Sequence, residues 1–191
     1  MIVVQRIFIA VLMGLTPAAS PRAQETPAAP PQSSKEPSGR EKEKIEEETR
    51  KRLEQLACSP SGVKFSHRTE KGPQILPERP PDKGLIYVIR KKTWLGAAVQ
   101  LKLAMDRKWV GTNRIGNYFY FEVDPGPHYF CMKVPMSDPG FLSLVIEKGK
   151  TYYLEQSATM GGIDLNLLTE EEGKAYVAKY HKSLFEEKLK K

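Results

Sequence analysis

The side chains with the greatest capacity for chemistry in this chain are two cysteines and a histidine close to the second of them. Cys58 and Cys131 lie 73 positions apart, and His128 precedes Cys131 by three positions. The thiols could form a disulfide, act as a nucleophile or bind a metal together with His128. Two ligands do not make a zinc site, and no third or fourth ligand lies nearby in the sequence. We therefore predict no metal site.

The N-terminal segment predicts the compartment in which these cysteines reside. Arg6 is followed by the apolar run Ile7–Leu15 and then by small residues and prolines. This pattern is typical of a secretory signal peptide, and the run is shorter than the roughly 20 residues that span a bilayer. We predict a signal peptide over residues 1–23, export to the periplasm or the extracellular space, and no transmembrane span after cleavage; an uncleaved anchor is the alternative. Because paired cysteines form bridges in an oxidising compartment, we expect a Cys58–Cys131 disulfide.

Composition limits the classes of protein that the chain can belong to. Its 191 residues are 40% hydrophobic and 28% charged, which suits one domain with tails. The net charge is +7, and residues 58–191 hold twenty-one basic and fifteen acidic residues. Such a domain attracts polyanions weakly, but no basic run with interleaved aromatic residues marks a nucleic-acid module. We expect an envelope polysaccharide or an envelope protein as partner and no specific nucleic acid.

The sequence contains none of the familiar catalytic motifs. There is no Gly-x-Ser-x-Gly, no phosphate-binding glycine-rich loop before a helix and no His-Glu-x-x-His. We therefore predict no catalytic residues, no cofactor and a protein of the cell envelope that is not an enzyme but a binding or scaffolding module. The alternative is a small envelope hydrolase whose site is assembled from scattered residues. A deep pocket containing a carboxylate or His128 would favour it.

The remaining candidate site is aromatic. Strand alternation places Tyr118 and Tyr120 on one face, with Tyr129 on the neighbouring strand and Tyr153 joining from a second hairpin. Tyrosine suits stacking on sugars or on an extended peptide, because its apolar ring ends in a polar hydroxyl. The alternative is that a helix covers this face and the tyrosines belong to the core. Trp109 follows a turn and is either an exposed anchor or a plug for the end of the sandwich.

A tether and a charged helix precede the elements that would position these residues. Residues 24–39 are rich in Pro, Ser and Ala, which predicts a disordered tether. Residues 40–57 carry opposite charges three and four positions apart, which favours a solvated helix. We expect its last turn to lie against the domain that follows.

Short β-prone runs separated by turns fill residues 58–168 and predict hairpins over 117–134 and 141–156. Thr169-Glu-Glu-Glu172 is a capping box that predicts an amphipathic helix over 169–191, packed on the sheets. We therefore predict a mainly β protein, an antiparallel β-sandwich of seven or eight strands with a charged N-terminal helix and an amphipathic C-terminal helix.

Residues 58–173, about three-fifths of the chain, resemble the bacterial domain-of-unknown-function family 2846. The motifs that carry the resemblance are Cys58-Ser-Pro with Val63-Lys-Phe65, Gly84-Leu-Ile-Tyr-Val-Ile89, Asp106-Arg-Lys-Trp-Val-Gly111, Asn117-Tyr-Phe-Tyr-Phe121, Pro125-Gly-Pro-His-Tyr-Phe-Cys131 and Gly149-Lys-Thr-Tyr-Tyr153. The resemblance implies an exported β-sandwich. The predicted hairpin over 117–134 also resembles the PEGA-type repeat, which implies a role in surface adhesion or scaffolding. The resemblance to family 2846 brings no catalytic residues with it. Some members of that family are lipoproteins, and this chain departs from them because no lipid-attachment cysteine lies close to its signal segment.

Overall fold

The fold was analysed in a computed structural model that describes residues 38–72, 75–93, 99–134, 137–159 and 162–188. These residues form two helices and ten strands. In chain order the elements are α1 (Gly39–Ala57), β1 (Phe65–Glu70), β2 (Gly84–Arg90), β3 (Leu101–Met105), β4 (Lys108–Asn113), β5 (Asn117–Val123), β6 (Gly126–Lys133), β7 (Gly140–Ile146), β8 (Thr151–Thr159), β9 (Gly162–Leu168), α2 (Glu170–Lys179) and β10 (His181–Glu187). The predicted mainly β class is confirmed, with ten described strands in place of seven or eight.

The strands form two sheets whose apolar faces pack against each other. The six-stranded sheet has the order β1-β10-β5-β2-β8-β9, and the four-stranded sheet has the order β4-β3-β6-β7. Neighbouring strands are antiparallel except for the pairs β2–β8 and β10–β5, which are parallel. Both sheets contribute buried apolar side chains to the core between them, namely Ile86, Val88, Phe119, Val123, Leu154 and Leu165 from one and Leu103, Phe130 and Ile146 from the other. The helices lie on the outer faces, α1 against β6 and β7 and α2 against β8 and β2.

Both predicted hairpins, over 117–134 and over 141–156, are wrong. β5 belongs to the six-stranded sheet and β6 to the four-stranded one, and β7 and β8 are divided in the same way. The turns after β5 and β7 therefore carry the chain from one sheet to the other. Among the described strands, the consecutive strands that pair antiparallel are β3–β4, β6–β7 and β8–β9. Asp106 and Arg107 connect β3 to β4 with φ angles of 47° and 69°, as a two-residue hairpin turn requires.

The predicted C-terminal helix is correct only in its first half. The Thr169 capping box is present and starts α2, but the helix ends at Lys179 and Tyr180 is extended. Residues 181–187 form β10 instead, which pairs with β1 over six residues and with β5 over two. Ser183 of β10 is buried and donates a 2.6 Å hydrogen bond to Asn113 Oδ1, and Phe185 packs 5.2 Å from the ring of Phe119. These long-range contacts outweigh the helical preference of the local Lys- and Glu-rich sequence.

The N-terminal predictions fall largely outside the described residues. The predicted signal peptide over 1–23 lies there, and so does the predicted tether over 24–39 except for its last two residues. The charged helix predicted over 40–57 is α1. Within the described ranges, no helix is long and apolar enough to cross a membrane.

Candidate functional site

The five aromatic residues predicted to form one site are divided between two sheets. Tyr118, Tyr120 and Tyr153 lie on the outer face of the six-stranded sheet. Tyr129 and Trp109 lie on the outer face of the four-stranded sheet. The prediction of a single tyrosine face was wrong about Tyr129, because it treated β5 and β6 as one hairpin.

The outer face of the four-stranded sheet, which carries Tyr129 and Trp109, also carries the disulfide. The predicted Cys58–Cys131 bridge is present, with its two Cα atoms 5.0 Å apart, and it joins the end of α1 to β6. Tyr129 and Trp109 pack against the cluster that contains the bridge. The indole N–H of Trp109 donates a 2.8 Å hydrogen bond to the carbonyl oxygen of Ser61. Trp109 is half-buried, and its hydrogen bond holds the segment that follows α1 against β4.

His128 is held in a small network at the β3–β4 turn. Its Nδ1 lies 2.6 Å from Asp106 Oδ2, and its Nε2 lies 2.8 Å from the carbonyl oxygen of Asp124. The other carboxylate oxygen of Asp106 accepts a 3.0 Å hydrogen bond from the backbone N–H of Tyr129. Because both ring nitrogens are engaged in this network, His128 stabilises the turn and offers no free nitrogen to a metal or a substrate. Across the described residues, no group of three or more His, Cys, Asp or Glu could hold a metal ion.

The outer face of the six-stranded sheet carries what we call the tyrosine cluster, which is Tyr87, Tyr118, Tyr120 and Tyr153. Strand register places Tyr87 of β2 directly beside Tyr120 of β5 and Tyr153 of β8. The ring of Tyr87 stacks on that of Tyr153 at 5.3 Å and lies 5.5 Å from Tyr120 and 6.0 Å from Tyr118. Tyr87 is therefore the centre of the cluster. Tyr87 is absent from the predicted site residues because it lies in a nearly continuous apolar run. The alternation of Leu85, Tyr87 and Ile89 is the signal that could have placed it on this face.

Helix α2 covers part of this face, as the alternative interpretation of the tyrosines expected. Gly173 lies directly over Tyr153, so that a Cβ atom at this position would come within 2.0 Å of the ring atom Cγ. Val177 and Tyr180 are buried against the same face. Tyr118 is fully buried, and Tyr153 keeps 6% of its surface exposed.

Polar contacts hold both ends of α2 in place. At its start, the backbone N–H of Thr169 donates a 3.1 Å hydrogen bond to Glu172 Oε2, which completes the capping box. At its end, the Tyr180 hydroxyl accepts a 3.1 Å hydrogen bond from the backbone N–H of Lys92. Lys91 adds a cation–π contact, with its Nζ 4.9 Å from the centre of the Tyr176 ring.

A cavity of about 550 Å³ remains between α2 and the tyrosine cluster. Apolar and aromatic groups form most of its wall, and Lys174 adds a cation at the rim. The lining residues are Gly72, Leu76, Tyr87, Tyr153, Lys174, Val177 and Ala178. Both its size and its mainly apolar wall with a few polar groups are those of small-molecule sites.

Besides Lys174, the cavity is lined by two tyrosines, Tyr87 and Tyr153, each of which carries a hydroxyl group. The two side chains are only 4% and 6% exposed. Neither hydroxyl has a hydrogen-bond partner within the described part of the chain, whereas the Tyr120 hydroxyl accepts a 3.0 Å bond from Lys182 Nζ. Among described side chains, only Gln156 has fully enclosed polar atoms without a partner. The hydroxyl oxygens of Tyr87 and Tyr153 therefore keep contact with solvent, and the cavity that both residues line provides it.

Burial keeps three tyrosines of the cluster, Tyr87, Tyr118 and Tyr153, protonated to a higher pH than ordinary tyrosines. It raises the pKa of Tyr118 to about 12, and it raises the pKa of Tyr87 and of Tyr153 above the ordinary value for a phenol. Neighbouring tyrosines raise the pKa of Tyr87 further. At neutral pH all three hydroxyls are therefore protonated, and those of Tyr87 and Tyr153 can donate hydrogen bonds into the cavity.

The fold and the site define a two-sheet β-sandwich with one disulfide and a partly enclosed, tyrosine-lined cavity. No family model matches the chain. The chain is similar to a protein of Haemophilus influenzae that is described as an uncharacterized protein. The two are 30% identical over 107 residues, which cover 53% of this chain and 62% of the relative. The chain thus spans about three-fifths of the length of the relative that it matches.

Proposed function

We propose that this chain is an exported protein of the cell envelope that binds a small ligand in the cavity between α2 and the tyrosine cluster, without catalysing a reaction. The observation that carries the proposal is the pair of buried tyrosines, Tyr87 and Tyr153, which both line the cavity and whose hydroxyls have no hydrogen-bond partner among the described residues. Buried polar groups are normally hydrogen-bonded in folded proteins. Water that enters the cavity can reach both hydroxyls, and a ligand would displace this water and accept their hydrogen bonds.

Export is supported by the predicted signal segment together with the disulfide. Cys131 is fully buried and Cys58 is 5% exposed, and the bridge between them is compatible with an oxidising compartment. The resemblance to family 2846 supports the same proposal, since it implies an exported β-sandwich. Membership of that family is part of the proposal.

The burial of the tyrosines favours a small ligand over a polymer. A polysaccharide that stacks on tyrosine needs open ring faces. The ring of Tyr153 lies under α2 and is stacked on the ring of Tyr87, so neither residue offers an open face. A molecule that fits within about 550 Å³ needs only the cavity. An envelope polysaccharide or protein stays the expected partner for the exposed surfaces outside it.

A matched pair of variants tests the proposal. Ala178 and Ala175 are both exposed residues of α2, but only Ala178 lines the cavity. The neutral fluorophore N-phenyl-1-naphthylamine should bind the wild-type protein with saturable fluorescence enhancement. Ala178→Trp should abolish this binding by occupying the cavity mouth, and Ala175→Trp should leave it unchanged. Absence of saturable binding, or equal effects of the two variants, would overturn the proposal.

A further inference from the structure

Resting on the proposed function, we infer that the ligand is a small amphipathic acid. Its carboxylate accepts hydrogen bonds from the hydroxyls of Tyr87 and Tyr153, and its apolar body lies against the aliphatic wall of the cavity. Nothing in the resemblance to family 2846 or in the comparison with the Haemophilus influenzae protein assigns this site.

The polar end of the ligand follows from the two hydroxyls. A protonated phenol donates one hydrogen bond, so two phenols that line one cavity suit a group with two acceptor oxygens. A carboxylate has two such oxygens and no donor of its own. Hydrogen bonds to an ionised acceptor are about twice as strong as those between neutral groups. The two donors therefore favour a carboxylate over an alcohol or an amine.

The charges around the cavity favour the same group. Lys174 lines the cavity, and Arg79 lies close enough to Tyr153 to act on it electrostatically. Glu170 opposes them and holds Lys174 Nζ at 2.6 Å. Together these three groups carry a net charge of +1. An acid gains from this charge, whereas an amine of the same size is repelled.

The apolar end of the ligand follows from the rest of the wall. Leu76, Val177 and Ala178 present aliphatic side chains, and no charged group other than Lys174 lines the cavity among the described residues. Because burial of apolar surface stabilises a complex in proportion to its area, an acid with a compact hydrocarbon body should bind far better than acetate. Medium-chain fatty acids have this chemistry, and decanoate is a suitable probe.

Displacement of N-phenyl-1-naphthylamine by three probes with the same alkyl chain tests the inference. Decanoate should displace the fluorophore at a concentration at least tenfold below that required for decan-1-ol or decylamine. Tyr87→Phe and Tyr153→Phe each remove one hydroxyl and keep the ring, and each should weaken decanoate binding about tenfold while fluorophore binding persists. Tyr129→Phe, on the other sheet, is the matched control and should change neither. Circular dichroism confirms that each variant is folded.

The outcomes separate this inference from the proposed function. If the fluorophore binds but decylamine or decan-1-ol displaces it as well as decanoate does, the inference that the ligand is an acid is wrong. The proposal that the cavity binds a ligand would still stand. If decanoate binding is unchanged in both Phe variants, the hydroxyls do not hold the carboxylate and the inference is overturned. If the fluorophore itself fails to bind, the proposed function fails first.

Discussion

The contact between Gly173 and Tyr153 allows a sharp test of how α2 sits on the tyrosine cluster. A Cβ atom at position 173 would lie 2.0 Å, 2.3 Å and 2.5 Å from Cγ, Cδ1 and Cβ of Tyr153. The ring of Tyr153 is blocked on one side by Tyr87, on which it stacks at 5.3 Å, and movement of the ring into the cavity cannot remove the overlap with Cβ of Tyr153, which is fixed to the strand. Gly173→Ala must therefore displace α2 from the sheet or force the stacked rings apart.

Two effects of opposite sign determine how much Gly173→Ala changes the free energy of unfolding. Replacing glycine with alanine inside a helix stabilises it by roughly 1 kcal/mol. Overpacking a well-filled contact costs about 1–3 kcal/mol, and an overlap with three atoms belongs at the upper end. We expect Gly173→Ala to lower the free energy of unfolding by about 1–2 kcal/mol, which corresponds to a fall in Tm of about 4 °C for a domain of this size.

Gly39→Ala is the matched control. Gly39 is the first residue of α1, and a Cβ atom at that position meets no other atom within 4 Å. Urea and thermal unfolding, followed by circular dichroism, should show this variant to be as stable as the wild type or slightly more stable. The reasoning is refuted if Gly173→Ala is stabilised as helix propensity alone predicts, because α2 would then not rest on Tyr153.

Three further predictions concern the bridge, a buried amide and the tyrosines. Replacing Cys58 and Cys131 with alanine opens a 73-residue loop, so the free energy of unfolding in urea should fall by about 4 kcal/mol, and reductant should then have no further effect. Gln156→Met should raise the free energy of unfolding by about 1 kcal/mol, because both enclosed amide atoms of Gln156 lack a partner; the exposed Gln55→Met should have little effect, and a loss of stability in Gln156→Met would mean that the amide is satisfied. Burial raises the pKa of Tyr118 to about 12 in the folded protein, above the value of about 10 for an unfolded chain. The neutral Tyr118 side chain therefore contributes fully to the free energy of unfolding below pH 10, and this contribution is lost as the pH rises through 12. Phenolate absorbance should accordingly show tyrosines that ionise only as the protein unfolds, and ionisation of every tyrosine near pH 10 in the folded protein would contradict this.

The fold class and the local signals could be predicted from the sequence because they depend on neighbouring residues. Alternating apolar residues predicted strands, and the Thr169 capping box predicted the start of α2 correctly. The Cys58–Cys131 bridge followed from the predicted compartment, because only two cysteines are present. Each of these inferences needed only a few adjacent residues or the number of cysteines in the chain.

The assignment of strands to sheets could not be predicted, because the same turn chemistry serves two topologies. Pro125 and Gly126 are compatible with a tight hairpin and equally with a crossing between sheets. The φ of 136° at Gly126 is open to glycine in either case. The choice depends on long-range pairing, in which β5 lies between β2 and β10. That pairing separates Tyr129 from Tyr118 by the thickness of the sandwich.

Long-range contacts also explain why β10 and the central position of Tyr87 could not be predicted from the sequence. Residues 181–187 contain helix-forming Lys and Glu, and only the partners of Ser183 and Phe185 make the strand favourable. Alternation within β2 could have placed Tyr87 on this face, but its central position comes from the register that places Tyr120 and Tyr153 beside it on two flanking strands. No pattern within β2 encodes either neighbour.

The most direct test of the central claim, that the cavity under α2 binds a ligand, is a nuclear magnetic resonance titration of protein with ¹³C-labelled tyrosine rings. The chain has 8 tyrosines, few enough to assign by single Phe substitutions. On addition of N-phenyl-1-naphthylamine, the account predicts saturable shifts of the Tyr87 and Tyr153 ring signals, with the Tyr129 signal unchanged. Shifts confined to Tyr129, or no saturable shift at Tyr87 and Tyr153, would contradict it.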